Sequence, residues 1–140
     1  MKNLFFLLAL LTTFSLSAQL TVRETQKDSI LWRASKLTTV PKIMVYTIDT
    51  VHVHTIFYQN AKYTQITDIE SISIGDNEDT KQFFNTCLSA FEQNKEFVIE
   101  IDGDPIYIKK SMGSIMIWSD SSYFYLNKNQ VVNILSKLTP

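Results

Sequence analysis

The chain has 140 residues, with 13 basic against 14 acidic side chains, one cysteine and three glycines. A net charge of −1 argues against a nucleic-acid binder, which carries a basic patch or stripe, and one cysteine excludes an intramolecular disulfide. Three scattered glycines exclude phosphate-cradling loops of the GxGxxG or GxxxxGK kind.

The first segment, MKNLFFLLALLTTFSLSAQ, runs from a positive Lys2 through an apolar stretch to small polar residues. That order is the signature of a cleavable signal peptide over residues 1–18. The apolar run is too short for a spanning helix, which needs roughly 20 residues. The exit Ser15-Leu16-Ser17-Ala18-Gln19 resembles those of exported proteins of Gram-negative bacteria, which places the cut after Ala18, whereas the small-x-small rule favours Ser17. Residues 19–140 are then one exported domain of about 120 residues, periplasmic or extracellular, without a membrane span and long enough to bury one core.

Leu20 to Glu24 reads as an edge strand, and Ile30, Leu31 and Ala34 as one face of a short helix. Ile43–Ile48 is rich in β-branched and aromatic residues, as strands are. Val51–Tyr58 alternates, with Val51, Val53, Thr55 and Phe57 on one side and His52, His54, Ile56 and Tyr58 on the other. Residues 59–62 form a turn, and 63–74 a strand region that changes side near Asp68.

Asp79 and Gln82 have the spacing of a capping pair, which predicts a helix over about 80–94. Phe83, Phe84, Cys87, Leu88 and Phe91 share its buried face. Asp102-Gly103-Asp104 turns a hairpin between Glu96–Asp102 and Pro105–Lys110. Strands at Ser114–Trp118 and Tyr123–Leu126 complete a meander. A last helix over 128–138, capped by Asn127 with Gln130, buries Val131, Ile134, Leu135 and Leu138. No repeat is visible in the residues. Short connections mean antiparallel pairing, so the fold class is α+β, a mainly antiparallel sheet with helices packed on one face.

The only two histidines, His52 and His54, stand two apart on a strand and so on one face. They are metal-ligand candidates for a hydrolase if Asp49, Asp68 or Glu70 completes the set. The competing reading is a solvated sheet face. The run Asp76–Asp79 lacks the spacing of a calcium loop and fits helix capping instead. No GxSxG elbow is present, and Cys87 reads as a core thiol. Nothing implies a cofactor.

The strand aromatics carry more. Tyr107 and Trp118 fall on the parity opposite the core isoleucines, which puts them on an outward sheet face unless the N-terminal segment covers it. With Tyr58 they are the candidate binding residues, because Trp and Tyr dominate contact surfaces. The sequence thus reads as an exported binding or interaction module with a protein or small-ligand partner. A small inhibitor or a structural component of an exported complex is the same reading with a particular partner.

Overall fold

A computed structural model describes residues 28–35, 40–48 and 50–138. The expected signal peptide and the expected strand at Leu20–Glu24 lie outside them. Among the described residues eight strands and two helices follow one another as β1 (Ser29–Arg33), β2 (Lys42–Ile48), β3 (Val51–Gln59), β4 (Ile69–Gly75), α1 (Asn77–Gln93), β5 (Phe97–Ile101), β6 (Asp104–Ser111), β7 (Ser114–Trp118), β8 (Tyr123–Leu126) and α2 (Lys128–Leu138). The strands make two antiparallel sheets, each in sequential order, β1 to β4 and β5 to β8. The α+β class with an antiparallel meander is as the sequence predicts, but the strands divide between two sheets rather than one.

Four strands and a helix thus occur twice in succession. The arrangement repeats although the residues do not, because a meander needs only alternation and tight turns. Residues 29–33 form an edge strand, not a helix. Trp32 pairs with Ile43 across a register shift and is buried, and burying so large a ring outweighs the weak helical spacing of Ile30, Leu31 and Ala34.

Helix α1 starts three residues before the predicted position. Asp76, not Asp79, is its N-cap, and accepts from the amides of Glu78 at 2.8 Å and Asp79 at 3.0 Å. Asp79 sits at the third helical position and its carboxylate accepts from the Asp76 amide at 3.3 Å, completing a capping box. Both aspartates are capping residues, and the acidic run put two within reach of the role. Gly75 makes room for this turn: its φ is +133°, and a side chain there would run into the Asp79 carboxylate. At α2 the predicted pair is found, with Asn127 and Gln130 exchanging bonds of 2.9 and 2.8 Å.

The helices lie side by side and antiparallel. Asn77 at the start of α1 donates to the Leu138 carbonyl at the end of α2 (3.2 Å), and Lys128 at the start of α2 reaches Glu92 near the end of α1 (2.9 Å). Thr80, Phe83, Phe84, Cys87 and Ala90 are the buried face of α1, which rests on β3 and β4 of one sheet and β6 and β7 of the other. Both sheets therefore share one core. Ile43 and Ile56 enter it from the first, and Ile108, Ile115, Ile117 and Leu126 from the second, all fully buried. Burial of each such side chain contributes about 1.5–3 kcal/mol. Cys87 is fully buried, and burial pushes its thiol far above the ordinary cysteine range.

A second joint links the sheets directly. Asn60, 1% exposed, follows β3. Its Nδ2 donates to Asp68 Oδ2 at 3.1 Å and to the Ser121 carbonyl at 3.4 Å. Its Oδ1 accepts from the amides of Lys62 at 3.1 Å and Tyr123 at 3.3 Å. The Ala61 amide then donates to the Tyr123 carbonyl at 2.8 Å. Beside it Tyr58 stacks on Phe124, with centroids 4.0 Å apart, and its hydroxyl meets Ser122 Oγ at 2.7 Å. Asn60→Ala would leave Tyr123 N–H and Lys62 N–H without this acceptor at a part-buried site. The expected loss is about 2–4 kcal/mol in urea unfolding, and a loss near zero would show that water replaces the amide.

Candidate functional site

Alternation along β5 to β8 divides the second sheet into two faces. Ile106, Ile108, Ile115, Ile117, Phe124 and Leu126 point to the helices and are buried. The other parity points away, and the register aligns it into cross-strand rows. Val98 faces Tyr107, Tyr107 faces Trp118, and Trp118 faces Tyr123. In the next row Lys109 faces Met116, and Met116 faces Tyr125.

The rings are organised against one another. Tyr107 and Trp118 stack with centroids 5.2 Å apart and planes within 18°. Lys109 Nζ lies over the Trp118 ring, 4.8 Å from its centroid, an arrangement that attracts the ammonium to the ring quadrupole. Tyr123 and Tyr125 meet edge to face at 5.8 Å. Val98 is 55% and Tyr125 44% exposed, and the rings between them are half-buried. Both helices lie on the opposite face, and residues 29–33 belong to the first sheet, so this part of the N-terminal segment does not cover the aromatics.

Tyr58 does not join Tyr107 and Trp118. It has the parity of His54 and Ile56, points into the core, and is 3% exposed. Burial raises its hydroxyl above the ordinary tyrosine value, against the Ser122 hydrogen bond. By residue type it groups with the others, but the first sheet turns that parity inward. Lys109, Met116 and Val98 are the members of the outer face that aromatic spacing did not single out. The period-two register, extended to non-aromatic positions, identifies them.

His52 and His54 share a face as expected but have different surroundings. His52 is exposed and meets Thr47 Oγ1 at 3.0 Å. His54 is 5% exposed, and its Nδ1 lies 2.8 Å from Thr80 Oγ1. Thr80 gives its only hydroxyl proton to the Asp76 carbonyl at 2.6 Å, so it must accept from His54, which fixes the Nδ1–H tautomer of the neutral ring. Among the described residues no group of three His, Cys, Asp or Glu side chains stands close enough to hold a metal ion. Asp68 is bonded to Asn60 instead, and Asp49 lies outside the described residues.

Two open clefts lie where the sheets diverge. One, of about 440 Å³, is lined by β4, β5 and the first turns of α1, including Ile74, Phe83, Ile99 and Ile101. The other, of about 400 Å³, continues past Ser73, Ile101 and Asp102 to the β5–β6 and β7–β8 turns.

Burial lowers the His54 pKa below 6.5, helped by the charge of nearby His52 and opposed by the Asp76 carboxylate and backbone. Above pH 6.5 the ring is neutral in both folded and unfolded chains. Below it the unfolded chain takes a proton that the folded protein resists, so stability falls as pH drops toward the lowered value. His54→Asn keeps a donor toward Thr80 without a titrating ring. Urea midpoints from pH 7.5 to 5 are expected to fall less steeply in this variant, and identical slopes would rule out His54 as a source of acid sensitivity. A scan of protein-family models and searches of curated proteins and of solved structures find no match for the chain.

Proposed function

We propose that the protein is an exported interaction module that binds a protein partner through the outer face of its second sheet. The observation that carries this reading is the ordered row Val98, Tyr107, Trp118 and Tyr123, flanked by Lys109, Met116 and Tyr125. Trp, Tyr and Met are the residue types enriched in protein interfaces. The stacked Tyr107–Trp118 pair and Lys109 already hold one another in place, so docking a partner orders few free rotors. Among the described residues that line the clefts, no hydroxyl is hydrogen-bonded to a histidine or carboxylate side chain. The predicted signal peptide puts the working domain outside the cytoplasm.

A photo-crosslinking residue at position 125, on this face, is expected to yield a discrete adduct in the host. The same residue at position 132, which is equally exposed on α2, should yield none. Tyr107→Ala with Trp118→Ala should abolish the adduct while lowering stability by no more than about 2 kcal/mol. Equal adducts from both positions, or a double variant that unfolds, would overturn the reading.

A further inference from the structure

Each sheet has two edges, and three of the four are blunted. β1 carries a register shift between Ile30 and Trp32, and β4 carries one opposite His54 and Thr55. β8 is four residues long, and both backbone groups of its Tyr123 are taken by Asn60 and Ala61. Short strands, bulges and covering loops are the usual protections of a sheet edge. Among the described residues β5 has no bulge and no covering loop. Its five residues, FVIEI, contain no proline, lysine or arginine, and its register with β6 is unbroken from Phe97 to Ile101.

The free edge of β5 opens on the two clefts. β4 forms the opposite wall, but no ladder joins the two strands. The apolar lining residues include Ile74, Phe83, Ile99 and Ile101. The charged lining is acidic: Glu70, Asp79, Glu100, Asp102, Asp104 and Asp120 line the clefts, and among the described residues no lysine, arginine or histidine does. Among the described residues no ion pair links these carboxylates to a cation.

We infer that this groove takes an extended basic peptide as a fifth strand on β5. Strand addition uses the unpaired backbone for affinity and alternate side chains for selectivity. Side chains of one parity would settle on the isoleucines and Phe83, and those of the other would meet the carboxylates. A peptide alternating apolar and basic residues satisfies both. A second copy of the chain fits poorly, because it would bring the same acidic lining against itself. This groove shares β5 with the aromatic face, whose row starts at Val98, but its other walls, β4 and the first turns of α1, are not part of that face, and the inference does not rest on that reading.

The probe is a blocked, fluorescein-labelled octapeptide alternating lysine and valine, with a glutamate–valine octapeptide as control. Binding is read by anisotropy and located by amide hydrogen exchange. The lysine peptide is expected to bind, to slow exchange across Phe97–Ile101, and to weaken as salt rises. The glutamate peptide should not bind. Glu100→Lys with Asp102→Lys, both at exposed positions, should weaken binding by about tenfold or more. If that variant does not fold, the two peptides on the unaltered protein still decide the matter. Equal binding of both peptides, protection placed on β6 and β7 instead of β5, or no binding at millimolar peptide would overturn the inference. So would concentration-dependent protection of β5 in the protein alone, which would assign the edge to a second copy.

Discussion

The two sheets have no strand ladder between them, so their mutual position depends on the Asn60 side chain and what surrounds it. An amide is the side chain that both donates twice and accepts twice, and here all four capacities of a buried Asn60 are used. The four partners come from three short segments: Lys62 from the turn after β3, Asp68 from the approach to β4, and Ser121 and Tyr123 from the β7–β8 turn and the first residue of β8. A buried polar group of this kind stabilises only when fully satisfied. It therefore selects one angle between the sheets, where apolar packing alone would tolerate several. The clefts exist because the joint holds the sheets together at one end while β4 and β5 stay apart.

Helix α1 supplies the second constraint. Its buried face was legible in the spacing of Phe83, Phe84, Cys87, Leu88 and Phe91, because a helix beneath a core has a period that residues display directly. The same holds for the meander strands, whose alternation and turn at Asp102-Gly103 are local. What local pattern does not carry is which sheet a strand joins. Trp32 shows this: its segment has weak helical spacing, yet pairing with Ile43 makes it a strand. Asp79 shows a smaller version, since two aspartates three residues apart both fit a capping role and only the backbone decides which is the cap.

The candidate sites were legible to the same extent. Parity placed Tyr107 and Trp118 on the outer face, and parity with the register extends that face to Val98, Lys109, Met116, Tyr123 and Tyr125. Parity alone misled at Tyr58, since it gives two faces but not which one meets the helices. The acidic groove was not legible at all. Glu70, Asp79, Glu100 and Asp120 are far apart in sequence, and each has a local explanation as a turn, cap or solvated residue. Only the divergence of the sheets makes them neighbours.

Finally, α1 closes the first set of strands in sequence but spends much of its buried face on the second set. The buried face of α1 is not fully covered until β6 and β7 are present. The first half of the chain thus emerges from synthesis with an apolar helix face that its own strands cover only in part. Such a half is sticky rather than folded, and the structure forms late, once nearly the whole chain is available. A gene cut at the end of α1 would yield two fragments that need each other, although the arrangement of strands looks like two domains.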